Sequence, residues 1–211
     1  MDIPAGAHAG ALRRAAWLKR LYRWHWISAA VSLVGLLSFA FTGFTLNHAA
    51  DIEARPRVQT HEAMLPESLH ERLADVAPGE APLPDALVRW LAAEVAIDVA
   101  GRPAEWSADE VYLSLPRPGG DAWLRIDRES GELEYERTDR GWIAWLNDLH
   151  KGRHAGAAWS LFIDVFAIAC LAFAATGLAI LAMHAPRRPL AWPLVALGAV
   201  LPAILLLLFV H

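Results

Sequence analysis

WHWISAAVSLVGLLSFAFTGFTL, running from Trp24 to Leu46, is the stretch that decides the fold. Its 23 residues include no Asp, Glu, Lys or Arg. A helix rising about 1.5 Å per residue needs roughly 20 residues to cross the hydrocarbon core of a bilayer. Two further runs meet the same test: Trp159 to Met183, with 25 residues, and Leu190 to Val210, with 21. The chain is 55% hydrophobic and 20% charged, whereas soluble domains sit near 45–50% and about 25%. The three runs hold the excess. The predicted architecture is a membrane α-helical protein with three transmembrane helices and a small α+β domain inserted between the first two.

A secretory leader is the rival reading of the first run. Its apolar core would be about 7–15 residues long and end on small residues. Here the run is longer and leaves through Gly43-Phe44-Thr45-Leu46-Asn47-His48, so it reads as a retained span. Orientation follows from the basic residues. Arg13, Arg14, Lys19, Arg20 and Arg23 precede the first span, and Arg187 and Arg188 lie between the second and third. Both clusters belong on the cytoplasmic side by the positive-inside rule. The expected topology is a cytoplasmic basic segment over 1–23, a span over 24–47 and a periplasmic domain over 48–156. A second span then covers 157–184, a cytoplasmic loop 185–189 and a third span 190–210.

The outer segment from Ala49 to Ala158 carries 21 acids and 12 Lys or Arg, a net charge of −9. That balance argues against nucleic acid or anionic lipid as a partner of this domain, and leaves a cationic partner or simply a solvated surface. Cys170 is the single cysteine, so the domain has no disulfide and no Cys-x-x-Cys-His haem attachment site; a packing role suits it.

Within that domain, Glu67 to Ala77 predicts a short helix with Leu69, Leu73 and Val76 along one side, broken by Pro78, Pro82 and Pro84. Asp85 to Asp98 predicts a second, capped by Asp85, with an apolar stripe through Leu87, Trp90 and Leu91. Three strands follow. Val111, Leu113 and Leu115 alternate with polar residues, as do Ala122, Leu124 and Ile126, while Leu133 and Tyr135 lead the last. Pro118-Gly119-Gly120-Asp121 and Arg128-Glu129-Ser130-Gly131 are the turns between them. The predicted unit is one helix over an antiparallel meander. Residues 141–151 predict an amphipathic interfacial helix, with Trp142 and Trp145 at the membrane boundary.

The histidines are the candidate chemistry. His48, His150 and His154 lie at the outer ends of the first two spans, and His25 and His184 at the inner ends. His25 and His48, 23 residues apart, are separated by about 35 Å along a helix, so they belong to different sites. Imidazoles facing each other across two helices suit a b-type haem or a directly bound copper, zinc or iron ion. Interfacial histidines also serve simply as anchors. Ser28, Ser32, Gly35 and Thr42 follow His25 on one face with Phe39; Ala167, Cys170, Ala174 and Gly177 form a second small stripe. Such stripes admit a neighbouring helix or a flat cofactor. Asp164 is the one acid inside a span. An intramembrane carboxylate is a functional candidate, and three roles are open to it: supporting a ligand histidine, pairing with Arg153, or reaching to water.

Phe41-Thr42-Gly43-Phe44-Thr45-Leu46-Asn47-His48 and Leu146-Asn147-Asp148-Leu149-His150-Lys151-Gly152-Arg153, followed by Thr176-Gly177-Leu178, resemble the PepSY-associated transmembrane helix proteins over residues 17–184. The outer unit is similar to a PepSY domain. Larger relatives include membrane reductases that pass electrons to ferric siderophores through b-type haems held by span histidines. The resemblance therefore implies a bacterial inner-membrane, haem-binding electron-transfer protein, with His48 and His150 as leading ligands and His25, His184 and His154 behind them. Asp164 and Arg153 would support the site. It also implies a quinol or membrane-protein donor inside and a ferric complex or redox partner outside. A PepSY unit can equally be a non-catalytic regulatory or interaction module. The chain departs from those reductases in having three spans and one outer unit, and it has no Gly-rich flavin or nicotinamide fingerprint. The third span carries Pro193 and Pro202 and no polar side chain, which suits packing or oligomerisation.

Overall fold

A computed structural model describes residues 5–52 and 55–210. The chain divides into two compact units. One holds the chain up to Ser38 and again from Leu161 onward, and the other is Phe39–Ser160.

The first helix, α1 (Ala5–Asn47), has 43 residues, and its candidate span is Leu12–Asn47. It begins well before Trp24, because the basic leader is rich in Ala, Leu and Arg, all good helix formers. Ser28 and Ser32 are buried. Their hydroxyls donate to carbonyls one turn back, Trp24 at 2.7 Å and Ser28 at 2.7 Å, which satisfies them without water.

In the central unit the chain runs β1 (Arg57–Met64), α2 (Glu67–His70) with a 3-10 turn over Glu71–Leu73, β2 (Gly79–Pro82) and α3 (Asp85–Glu94). It continues through β3 (Pro103–Trp106), β4 (Glu110–Ser114), β5 (Gly120–Asp127), β6 (Glu132–Asp139) and α4 (Trp142–Lys151). The sheet is antiparallel, in the order β1-β6-β5-β4-β3-β2. Six strands replace the three expected. β1 escaped because its residues are almost all exposed and show no period-2 apolar signal; eight cross-strand pairs to β6 hold it in place. β2 and β3 are short and begin or end in proline. The expected Glu67–Ala77 helix is only one α-turn and one 3-10 turn long. α3 stops at Glu94, four residues early, and is capped by Pro84, with Asp85 as its first helical residue and no side-chain cap.

The core of this unit lies between α3 and one face of the sheet. Leu87 and Leu91 of α3 pack with Leu73, Val111, Leu113, Leu124, Ile126 and Leu133, each at 1% exposure or less. The opposite face is acidic. Glu62 stands across from Glu134, and Glu134 across from Arg125, which also pairs with Glu110 at 2.6 Å.

Two more helices complete the other unit: α5 (Ala157–His184) and α6 (Ala191–Phe209), joined through a 3-10 turn at Ala185–Arg187. With α1 they are the three helices long and apolar enough to cross a membrane. The bounds of α5 coincide with the expected span, and those of α6 fall one residue inside it at each end.

Candidate functional site

Within the spanning unit, α1 and α5 meet along a seam of small residues. A Cβ on Gly35 would stand 2.3 Å from the Phe166 ring, and one on Gly177 would stand 3.1 Å from His25 Cε1. Helix packing therefore uses the small residues of this seam. His25 lies in it: its ring stacks on Phe173 at 4.6 Å, and Nδ1 lies 3.2 Å from the Phe173 carbonyl and 3.1 Å from Thr176 Oγ1. A carbonyl only accepts, so Nδ1 carries the proton, and in the neutral ring Nε2 carries the lone pair.

His184 lies on the same seam. At about 100° per residue, Phe173, Gly177, Ile180 and His184 share one face of α5. The His184 ring folds back along the helix, Nδ1 donating to the Ile180 carbonyl at 2.8 Å, and meets Tyr22 edge-on at 6.4 Å. Arg14 also reaches this end, donating to the Met183 carbonyl at 2.9 Å. The basic residues before the first span and the end of the second thus stand together.

The outer histidines are arranged differently. His150, on α4, lies against Phe39 with ring centroids 4.9 Å apart, and its Nδ1 is 2.7 Å from Thr42 Oγ1. The Thr42 hydroxyl also lies 3.2 Å from the Phe39 carbonyl. One turn on, the Thr45 hydroxyl donates to Oδ1 of buried Asn147 at 3.0 Å. His48 takes no part in this. Its ring packs on Phe44 at 4.4 Å and its Nδ1 donates to the Phe44 carbonyl at 3.0 Å. Around α1, His48 is about 140° from Gly43 and 180° from Phe39, the residues that meet His150. The structure does not bring His48 and His150 together.

His154 is exposed in the turn after α4 with a left-handed backbone, φ 55°. Arg153 is exposed beside it, its amide donating to Asp148 at 2.8 Å. Gly152, at φ 66°, ends α4 in the left-handed cap that its position in the motif requires. Asp164 is exposed on α5, about 160° from Phe166 and so on the face away from the seam. It does not back His25 or His184. Among the described residues, no group of three or more His, Cys, Asp or Glu gathers to hold a metal ion.

His70 sets the contrast. In the core unit its Nε2 donates to the Arg128 carbonyl at 2.9 Å, the use expected of a structural histidine. Four of the five histidines at the span ends, His25, His48, His150 and His184, commit Nδ1 instead. Thr42, Thr176 and Asn147, which hold His150, His25 and the α1–α4 contact, were not singled out as site residues. All three lie inside the quoted motifs, and a polar residue one turn from a histidine is the signal that marks them.

Two carboxylates outside the spans are held below the ordinary range. Asp139 accepts the Gly141 amide at 2.8 Å, the main cause, and pairs with Arg117 at 3.2 Å. Asp127 is lowered chiefly by the Ser130 amide and hydroxyl.

A family model described as PepSY_TM-like matches residues 16–211. No curated protein and no solved structure matches the chain.

Proposed function

The chain belongs to the PepSY_TM-like family, and from that premise we propose that it is a haem-binding electron-transfer protein of the bacterial inner membrane. Its axial pair is His25 and His184. The observation that carries this reading is the shared seam. Both imidazoles lie on it, each with Nδ1 fixed on a protein oxygen and Nε2 outside that bond. Metal-bound histidines are oriented in this way, and the Nδ1–H bond raises the basicity of the ligating nitrogen. The donor set therefore fits a b-type haem, which when bound supplies a one-electron couple whose potential the axial imidazoles tune.

The protein's own contribution is positional. Phe173 stacks on the His25 ring and holds its plane, and the Phe173 carbonyl holds its tautomer. Tyr22 closes the edge of His184. Gly35 leaves room for the Phe166 ring, and Gly177 for the His25 ring. The donor in this reading is a quinol or a membrane protein at the Tyr22 end, and the acceptor a ferric complex or periplasmic redox protein. Of the outer histidines, His150 then serves α1–α4 docking by bridging to Thr42.

The full chain purified from haem-replete cells should be red, with a Soret band that shifts on reduction. His25→Ala and His184→Ala should each lower haem retention by roughly tenfold or more while the protein still inserts. A colourless wild type refutes the reading. Loss of haem in His48→Ala and His150→Ala, with His25→Ala unaffected, would move the site to the other end of the spans.

A further inference from the structure

The central unit contains a cavity of about 770 Å3 that the haem reading does not use. Ligand pockets are typically roughly 300–1,000 Å3, so its size suits a small molecule. Arg55, Arg57, Arg137 and Arg140 line it, and Asp139 is the one acid among the described lining residues. Asp139 is already committed, to Arg117 and to the Gly141 amide. Among the described residues the ion pairs are Arg117–Asp139 and Arg125–Glu110, so Arg57, Arg137 and Arg140 make none there. In a domain of net charge −9, the three arginines Arg57, Arg137 and Arg140 on one cavity are not a sample of the surface. Like charges in one concavity repel, and an anion relieves that repulsion.

Register explains how they meet. Arg57 pairs with Asp139, and Gln59 with Arg137, on the helix-facing side of the sheet. Beside them on β5 stand Gly120 and Ala122, both buried and outside the cavity's lining. The roof is the start of α4, whose Trp142, Ile143 and Ala144 also line the cavity. That first turn has no side-chain cap and no acid, so its amides and the positive end of the helix dipole remain for an anion. The other wall is apolar, from Ala49 and Ile52 just beyond the end of α1.

We propose that this cavity binds a phosphate-bearing ligand, the phosphate held by Arg57, Arg137, Arg140 and the first amides of α4. Arginine forks and helix N-termini both match phosphate oxygens. Ala49, Ile52 and Ile143 take the apolar part next to it. The chain reaches the cavity directly from the end of the first span, so an anionic lipid headgroup and a free phosphate are the two sources of that chemistry.

The test uses the full chain in a neutral detergent, titrated with inorganic phosphate, dioctanoyl phosphatidylglycerol, or dioctanoylglycerol, which lacks the phosphate. Thermal unfolding reads the binding, since a ligand for the folded state raises the midpoint with concentration. Phosphatidylglycerol should raise it, and the double variant Arg57→Gln/Arg137→Gln should need roughly tenfold more ligand for the same rise. Arg89→Gln, an exposed arginine of α3 outside the cavity, should behave as wild type. A response to inorganic phosphate alone keeps the site and assigns a soluble source. If the double variant does not fold, Arg140→Gln, in the loop between β6 and α4, takes its place. No response to either phosphate probe, an unchanged titration in the arginine variants, or an equal response to dioctanoylglycerol overturns the proposal.

Discussion

The two ends of one sheet face behave as different materials. Under α3, Ile126, Leu133 and Ala63 stand in register across β5, β6 and β1, with Ile126 and Leu133 wholly buried. Four residues further along the same strands, under α4, the same face presents Ala122, Arg137 and Gln59, and two beyond these Gly120, Asp139 and Arg57. The first end is filled and apolar, so its side chains hold the fold. The second carries the exposed side chains of Arg57, Gln59, Arg137 and Asp139, which stay hydrated and line a cavity of ligand size. α4 is held over that open end by directed contacts. The Gly119 amide donates to Asp148 at 2.9 Å. Gly119 itself, at φ 72°, lets the backbone of Trp145 approach so closely that a Cβ would stand 2.6 Å from the Trp145 Cβ.

The largest effect should come from the filled end. Leu133→Ala removes a side chain with no exposure and should cost about 2–5 kcal/mol of unfolding free energy. The phosphate titration of the surviving folded protein should not move. Chemical denaturation of wild type and variant gives the difference. A loss below about 1 kcal/mol would mean that this end is not close-packed, and the contrast between the ends would fail.

A smaller loss is expected where α4 meets α1. Asn147→Ala removes the hydrogen bond from the Thr45 hydroxyl in a buried setting, while that hydroxyl keeps the Thr42 carbonyl as acceptor at 2.9 Å, for about 0.5–1.5 kcal/mol. Because α4 roofs the cavity, the same change should weaken phosphate binding, which Leu133→Ala should not. Equal titrations in the two variants would separate the cavity from the docking of α4.

How much of this was readable depended on what carried the signal. α5 is bounded by where the apolar run begins and ends, and composition alone locates it. The meander of β4, β5 and β6 shows in the alternation of Val111, Leu113, Leu124 and Ile126. β1 shows nothing, since an edge strand exposed along its length needs no apolar side chain; only its register makes it a strand. The cavity was hidden for the same reason: Arg57 and Arg137 lie 80 residues apart and meet through β1–β6 pairing. Two histidine groupings were read from their positions at the ends of the spans. The inner pair shares a seam, but helical phase turns His48 away from His150, and end-to-end position carries no phase. Asp164 marks the same limit. An acid in a span was evident, while its face, away from the seam, follows from which side of α5 packs.

The smallest effect concerns Asp139, which stands at the open end and ties β6 to the start of α4. The Gly141 amide, and after it Arg117, favour the ionised carboxylate and hold its pKa below the usual carboxylate value. A folded-state pKa below the unfolded one means that the stabilising contribution is present above the unfolded pKa, near 4, and is lost as pH falls through the folded value. Asp139→Asn keeps the shape but removes the charge. Wild type should therefore melt above the variant by a constant margin from neutral pH down to about pH 5, and the margin should shrink below about pH 4. Asp127 titrates in the same direction in both proteins, so it cancels in the difference. The residue is exposed, and screening by solvent keeps the margin small. Melting curves of the pair across that range decide the matter. A margin that grows with acid, or that persists unchanged below pH 4, would mean that the Asp139 carboxylate does not hold the roof of the cavity to the sheet.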